Sequence, residues 1–315
     1  MAPASIILDC DPGIDDAVAI LLALGSPEVQ LAAITTVVGN TSLANATANA
    51  LRVLEWVGRP DIPVAAGAER ALVHGASRDA ADAHGETGLD GSGLPAPSIS
   101  PVGEHAVELI ARLALAEPGR HTLVATGPLT NVALLAALRP LAFAALRRVV
   151  VMGGSALGGG NMSPYAEFNV WSDPEAAERV LQSGADTTLV GLDVTRRAIL
   201  DGVDVSVLEQ LPVLGPGLAG MLRFYMRKHI QWYGQEVVFQ HDSLALAQVI
   251  DPTLLTVVHC HVEVDTGSGP ARGATLVDRH GVFGGAPNVH WAEDLDVERF
   301  RSLLMDRLTA LAAAL

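Results

Sequence analysis

Hydrophobic and polar positions follow one repeating pattern over the first 200 residues. Short β-branched apolar runs lead into polar or glycine-rich turns, and then into segments with the apolar spacing of an amphipathic helix. This alternation is typical of βαβ units, which build a mostly parallel sheet covered by helices on both faces. The sequence therefore predicts an α/β fold with a Rossmann-like open sheet. The strand-like runs are residues 5–8, 31–38, 122–125, 148–152, 187–190, 255–264 and 274–277.

Helical patterns complete this picture. Residues 205–250 read as mainly helical and contain several bulky aromatic side chains. No change of composition divides the chain, so a single domain over residues 1–315 is expected. The longest candidate loop is 74–101, which is rich in Gly, Pro, Ser and Asp. The other helical patterns cover Val18–Leu24, Leu43–Val57 and 295–314.

Composition narrows the range of partners. The formal net charge of −15 opposes binding to polymeric nucleic acid, because phosphate binding needs clustered Lys and Arg. The two cysteines, Cys10 and Cys260, are not paired at metal or redox spacing, which excludes a disulfide framework. The first residues lack the pattern of a signal peptide, and no apolar run is long enough to span a bilayer. Cytoplasmic residence without a membrane partner is therefore expected.

Polar side chains follow the predicted strands at the points where the strands end. Because ligands of open parallel sheets bind beyond the carboxyl ends of the strands, these side chains are expected to form one site. The site therefore draws on residues far apart in sequence. They are Asp9, Asp11, Asp15, Asp16, Asn40, Thr126, Asn161, Glu167 and Asn169.

The four aspartates after the first strand predict a cation. Crowded carboxylates repel one another unless a cation or protonation relieves the charge. Oxygen ligands suit Ca²⁺ or Mg²⁺, and no nearby His or Cys set would favour zinc. Acidic residues also stabilise a helix N-terminus, which would explain Asp15 and Asp16 but not Asp9 and Asp11.

The run DCDPGIDDAVAILLAL (9–24) resembles the DxDPGxDDxxA signature of the nucleoside hydrolase family. Later segments resemble further family motifs in the expected order, so the resemblance covers essentially the whole chain. Their joint presence is far more specific than any one motif. These segments are ITTVVGN (34–40), HGETG (84–88), ATGPLTN (125–131), VVMGG (150–154), NMSPYAEFNVWSDPEAA (161–177), VGLDVT (190–195) and HDSLALAQVIDP (241–252).

The resemblance implies calcium-dependent hydrolysis of the N-glycosidic bond of ribonucleosides to free base and ribose. It makes Asp15 the general base that activates a water. Asp9 is then expected to hold the residues around the metal without binding the metal itself. An oxocarbenium-like transition state would be stabilised by the carboxylates and amide oxygens of such a pocket. The Ca²⁺ ligands that it implies are Asp11, Asp16, Asp242 and the backbone carbonyl of Thr126.

The same resemblance implies a ribose pocket and a base-binding end. His241 is associated with protonation of the departing base in the family branch that has histidine here. His229 is a polar residue that is followed four positions later by Tyr233, and this arrangement is similar to that of pyrimidine-preferring members. The implied ribose-binding groups are Asn40, Met152, Asn161, Glu167 and Asn169. The implied base contacts are His84, His229 and Tyr233, the last two from the mainly helical region over the site. The family also commonly forms homodimers or homotetramers.

Two other functions compete with this interpretation. A haloacid dehalogenase-like phosphatase also begins with a strand, D-x-D and a divalent cation, but Gly13 stands where that family has Thr or Val. A non-catalytic, calcium-dependent nucleoside or ribose sensor would keep the pocket, yet it would need neither a base nor an acid. The presence of both Asp15 and His241 favours the hydrolase.

Overall fold

A computed structural model describes residues 2–73 and 81–315 of the chain, so residues 74–80 of the predicted 74–101 loop lie outside the described residues. The described strands are β1 (Ala4–Cys10), β2 (Val29–Thr36), β3 (Val64–Ala66), β4 (His121–Ala125), β5 (Arg148–Met152), β6 (Thr187–Val190), β7 (Ile199–Asp201), β8 (Val237–Phe239), β9 (Leu255–Val264), β10 (Thr275–Asp278) and β11 (Val289–Leu295).

Helices alternate with these strands over most of the chain. They are α1 (Ile14–Leu24), α2 (Leu43–Trp56), α3 (Ala81–His84), α4 (Ala106–Ala116), α5 (Thr130–Leu138), α6 (Pro140–Ala144), α7 (Phe168–Ser172), α8 (Pro174–Leu181), α9 (Leu192–Thr195), α10 (Gly202–Leu208), α11 (Gly215–Tyr233), α12 (His241–Ile250) and α13 (Val297–Ala314). In the described ranges no helix is both long and apolar enough to cross a membrane.

Nine strands form one sheet in the order β10-β9-β11-β6-β5-β4-β1-β2-β3. All pairs from β11 to β3 are parallel, whereas β9 pairs antiparallel with both β11 and β10. The predicted, mostly parallel α/β sheet is therefore confirmed. Strands β7 and β8 form a separate antiparallel pair.

The central strand β1 explains where the site lies. Successive side chains of a strand point to opposite faces. Ile6 and Leu8 accordingly pack into one core with α1, and Ile7 packs into the other core with α4 and α5. Both faces of β1 are buried, as helices on both sides of the sheet require. The end of β1, with its aspartates, therefore lies deep in the molecule.

Four strands differ from the sequence-based expectation. The three-residue strands β3, β7 and β8 are too short to show an alternating pattern, and β8 interrupts the region 205–250 that was predicted to be mainly helical. Strand β11 carries Glu293 and Asp294, so it lacks a continuous apolar run. The C-terminal helix begins at Val297, because Leu295 still belongs to β11.

Candidate active site

A cavity of about 610 Å³ opens at the carboxyl edge of the parallel strands. Its size is within the usual range of small-molecule sites. All of the predicted site residues except Asp9, Asp11 and Asp16 line it. The predicted residues on its wall are Asp15, Asn40, His84, Thr126, Met152, Asn161, Glu167, Asn169, His229, Tyr233, His241 and Asp242.

The turn after β1 brings the aspartates to the start of α1. Gly13 is the N-cap of this helix, and its N–H donates to Asp16 Oδ2 at 3.1 Å. Gly13 has no room for a side chain, because a Cβ there would lie 2.8 Å from Nδ1 of His84 and 2.9 Å from Nδ2 of Asn40. The close packing of this turn places Asp15 and Asp16 in the first helical turn, side by side.

Three carboxylates form the acidic end of the cavity. Asp15, Asp16 and Asp242, which comes from the first turn of α12, each offer an oxygen within 4.8 Å of the others. Burial raises the pKa of all three carboxyl groups, and the charge of Asp16 raises those of Asp15 and Asp242 further. A cluster of buried carboxylates with raised pKa values can hold a metal ion, whose charge would stabilise the ionised forms.

Hydrogen bonds fix Asp16 in this cluster. Its Oδ1 accepts from Thr126 Oγ1 at 2.7 Å, and its Oδ2 accepts from Asn40 Nδ2 at 3.1 Å. The predicted ligand atom of Thr126, the backbone carbonyl, accepts from Asn169 Nδ2 at 2.7 Å. A carbonyl oxygen has a second lone pair that remains open to a cation.

Asp11 lies beside the three carboxylates but outside their 4.8 Å group. Its Oδ2 accepts the Asn40 N–H at 2.5 Å, while its Oδ1 is buried and has no hydrogen-bond partner. Oδ1 of Asp15 is also buried without a partner. Unpaired buried carboxylate oxygens are costly. The unpartnered oxygen of Asp11 therefore fits a bound cation, and that of Asp15 fits a cation or a water beside it.

Asp9 has a different environment from the other aspartates. Its Oδ1 accepts from Thr35 Oγ1 at 2.6 Å and from Asn131 Nδ2 at 2.8 Å. Asn131 also donates to the Thr36 carbonyl and accepts from the Ala68 N–H. Asp9 thus ties β1 to β2 and α5, and burial raises its pKa to about 6.

The predicted ribose groups form one wall of the cavity. Asn169 Nδ2 also donates to the Met152 carbonyl at 3.1 Å, which joins α7 to the end of β5. Glu167 is the N-cap of α7, and its carboxylate accepts the backbone N–H groups of Gly154, Asn169 and Val170. Burial still raises its pKa to about 7. Asn161 is exposed at the rim of the cavity.

The opposite end is aromatic. The His229 ring lies 4.3 Å from that of Tyr225 and 4.6 Å from that of Phe239, between centroids. Its Nδ1 contacts the Val237 carbonyl at 2.9 Å, and because a carbonyl only accepts, Nδ1 carries the proton. Burial lowers the pKa of His229 to about 4. Tyr233 is 45% exposed at the mouth of this end.

His84 connects the two ends. Its Nδ1 accepts the Ile14 N–H at 3.1 Å, so that Nε2 carries the proton, and Nε2 lies 4.0 Å from Asp15 Oδ1. Burial lowers the pKa of His84 to about 3. The neutral ring of His84 therefore directs an N–H toward Asp15, and its ring packs 5.0 Å from Tyr225.

His241 precedes Asp242 at the start of α12. Its Nδ1 lies 2.7 Å from Thr195 Oγ1, and its ring packs 5.5 Å from that of Phe239. Burial lowers the pKa of His241 to about 3, so that the ring is neutral near pH 7.

The sequence did not assign several residues that the structure places at the site. Tyr225, Trp232 and Phe239 line the aromatic end of the cavity, and Thr195 contacts His241. The aromatic spacing within 205–250 pointed to the first two, but Phe239 lies at the end of β8, a strand too short to predict. Thr195 belongs to the segment VGLDVT (190–195), but neither its residue type nor its spacing marks it as a site residue.

Comparisons with known proteins identify the family and agree with the fold. The sequence model of the inosine-uridine preferring nucleoside hydrolase family matches residues 6–302. A pyrimidine-specific ribonucleoside hydrolase RihA of Klebsiella pneumoniae is 43% identical over 309 residues, which cover 96% of this chain and 97% of the relative. Among solved structures, the plant nucleoside hydrolase PpNRh1 superposes with a TM-score of 0.93 at 35% identity, covering 98% of this chain and 99% of that chain.

A purine-preferring ribonucleoside hydrolase from Gardnerella vaginalis is similarly close in structure. It has a TM-score of 0.94 at 32% identity, covering 99% of this chain and all of that chain. The match of the family model to nearly the whole chain, together with relatives of more than 30% identity at nearly full coverage, establishes the family. The chain belongs to the inosine-uridine preferring nucleoside hydrolase family.

Proposed function

We propose that this chain hydrolyses the N-glycosidic bond of pyrimidine ribonucleosides, releasing the free base and ribose, with Ca²⁺ bound at the aspartate cluster. One observation carries the proposal: a single cavity joins buried carboxylates at one end to histidines and aromatic rings at the other. A nucleoside has the same division into a polar sugar and a flat base. The pyrimidine-specific relatives support the choice of base.

The donor set fits Ca²⁺. Asp16 and Asp242 offer oxygens that are clustered with one of Asp15, and Asp11 Oδ1 is a further buried oxygen without a partner. With the Thr126 carbonyl, the ligand atoms are all oxygen, which suits a hard cation of flexible coordination number. When bound, the cation supplies positive charge that offsets the carboxylates and lowers the pKa of a water in the site.

Asp15 acts as the general base. Its Oδ1 has no protein partner and is free to take a proton from a water as the water oxygen attacks the anomeric carbon of ribose. The glycosidic C–N bond breaks as this C–O bond forms, and its electron pair leaves with the base nitrogen. The His84 N–H lies 4.0 Å from Asp15 Oδ1, beyond hydrogen-bond distance, so that this oxygen remains accessible to a water.

The ribose wall positions the sugar during this step. Asn40, Asn161 and Asn169 offer amide groups to its hydroxyls, and Met152 covers its apolar face. Glu167 keeps this wall in place through the three backbone N–H groups that it accepts. When the sugar is held in place next to the Asp15 carboxylate, hydrolysis gains the rate advantage of correctly oriented reactants.

His241 assists departure of the nucleobase at the aromatic end of the cavity. Its Nε2 is the atom left free by the Thr195 contact, and a donor there stabilises negative charge on the leaving nitrogen. His229 and Tyr233 surround the base together with the aromatic rings. Nucleobases stack well on such rings.

Ribose release from uridine, cytidine, inosine and adenosine tests the proposal. We expect the highest kcat/KM with a pyrimidine nucleoside, and loss of activity with a chelator that Ca²⁺ restores. A higher kcat/KM with inosine would point to purine specificity instead. Tight nucleoside binding without ribose release would indicate a sensor, and release of phosphate from phosphate esters would indicate a phosphatase.

Three further properties complete the proposal. We infer a single domain over residues 1–315, a homodimer or homotetramer in solution, and residence in the cytoplasm. The single domain predicts one cooperative unfolding transition, and two separate transitions would contradict it. Light scattering after size exclusion tests the oligomeric state, and a monomeric mass would contradict it. Cell fractionation tests the compartment, and recovery outside the cytoplasm would contradict it.

A further inference from the structure

Thr195 makes a buried contact with the histidine at the base end of the cavity. Its Oγ1 lies 2.7 Å from His241 Nδ1, and its side chain is 0% exposed. Among the described residues, this is the only side-chain hydrogen bond that either residue makes. Because water cannot reach the Thr195 hydroxyl, nothing replaces the contact when the hydroxyl is removed.

The backbone around this contact holds the two residues at a fixed separation. The Thr195 N–H donates to the Gly191 carbonyl at 3.1 Å, which anchors the residue at the end of α9. Three residues later, the Ala198 carbonyl accepts the N–H of Gln240 at 2.8 Å, directly before His241. Ile199 of β7 pairs with Phe239 of β8. The short β7–β8 pair therefore aligns α9 with the start of α12.

A hydroxyl group suits this position because it can donate its proton to Nδ1 of His241. When it does, the neutral ring carries its own proton on Nε2, the nitrogen that this contact leaves free. Valine has the same shape but no proton to donate.

We propose that Thr195 is a positioning residue for leaving-group departure: its hydroxyl fixes the orientation of the His241 ring and keeps an N–H on Nε2, directed at the departing base. This inference rests on the proposed hydrolysis of nucleosides. It assigns no contact between Thr195 and the substrate. Its effect passes through His241 and concerns only the step in which the base leaves.

Two substrates with different leaving groups distinguish this positioning role of Thr195 from a merely structural one. Uridine has a poor leaving group that needs a donor, whereas 4-nitrophenyl β-D-ribofuranoside releases a stable phenolate without one. We expect Thr195→Val to lower kcat for uridine by about 10- to 100-fold with little change in KM, and kcat for the nitrophenyl riboside by less than about 3-fold. Thr195→Ser, which keeps the hydroxyl, should stay within about 3-fold of wild type on both substrates.

Matched variants make the result specific. Thr188 is another buried threonine, on β6, and it lies outside the cavity, so that Thr188→Val controls for the loss of a buried hydroxyl. His241→Ala should show the same selective loss as Thr195→Val. Circular dichroism checks folding, and Thr195→Ala replaces the valine variant if that variant does not fold.

The outcomes distinguish the inference from the proposed function. Equal losses on both substrates, or no loss on uridine, in a folded Thr195 variant would overturn the positioning role. Failure of the wild type to release ribose from any nucleoside would overturn the proposed function itself. A selective loss in His241→Ala without one in Thr195→Val would leave the function standing and reject Thr195 alone.

Discussion

Gly39→Ala places a methyl group against the carboxylate of Asp11. A Cβ at this position would overlap Asp11 Oδ2 and lie 2.8 Å from both Asp11 Cγ and Pro128 Cδ. The same carboxylate oxygen accepts the Asn40 N–H. The added methyl therefore has to displace the carboxylate, which loses this hydrogen bond and shifts Asp11 away from the acidic cluster.

The size of the effect follows from these two consequences. Overpacking in a tight interior costs about 1–3 kcal/mol, and the loss of a hydrogen bond to a charged group costs about 1.5–3 kcal/mol. Since rotation of the carboxylate relieves part of the overlap, we expect the free energy of unfolding to fall by about 2–4 kcal/mol. We also expect the apparent Kd for Ca²⁺ to rise by about 10-fold or more, equivalent to about 1.4 kcal/mol.

Urea unfolding in chelator, followed by calcium titration at fixed urea, measures both quantities. Gly103→Ala is the matched control, because a Cβ there meets no atom within 4 Å. This surface change should stay within about 0.5 kcal/mol of wild type. If Gly39→Ala and Gly103→Ala had the same stability and the same calcium response, the assignment of Asp11 to the metal site would be refuted.

Three further perturbations follow from the site. Asp242→Asn removes one of the clustered buried charges, so we expect Tm in chelator to rise by about 2–4 °C and the stabilisation by Ca²⁺ to disappear; an unchanged calcium response would contradict this. Burial lowers the pKa of His229 from 6.5 to about 4, so that the contribution of this residue to stability is full above pH 6.5 and falls by about 1.4 kcal/mol per unit toward pH 4; in urea unfolding, the stability of wild type relative to His229→Gln should fall with this slope, and a constant difference would contradict it. Asp193 accepts the N–H groups of residues 156–158, so Asp193→Ala should loosen the loop that leads to Asn161 and raise KM about 10-fold with kcat nearly unchanged; equal KM values would refute this role.

Most of the sheet could be predicted because its central strands are buried on both faces. Strands such as β1 and β5 are continuous apolar runs, and each is followed by polar residues where the topology places the cavity. The convergence of Asp15, Asn40 and Asn169 on one cavity therefore follows from strand order alone. Asp242 required the family resemblance, because it begins a helix and follows no predicted strand.

The remaining features depend on tertiary contacts that leave little trace in the sequence. Strand β8 has three residues, yet it places Phe239 at the aromatic end of the cavity and aligns His241 with Thr195. Similarly, Asp9 and Asp11 are two residues apart, but their contacts come from distant parts of the chain. Asn131, more than a hundred residues away, holds Asp9, whereas Asp11 accepts the Asn40 N–H and lies beside Asp16, whose charge raises its pKa.

Hydrolysis of a pyrimidine nucleoside requires that water cleave the bond between ribose and the base. The most direct measurement incubates the calcium-loaded protein with uridine in water enriched in heavy oxygen and analyses the products by mass spectrometry. We expect equal amounts of uracil and free ribose, with the heavy oxygen in the ribose and none in the uracil. Intact uridine, or a sugar product without the label, would contradict hydrolysis.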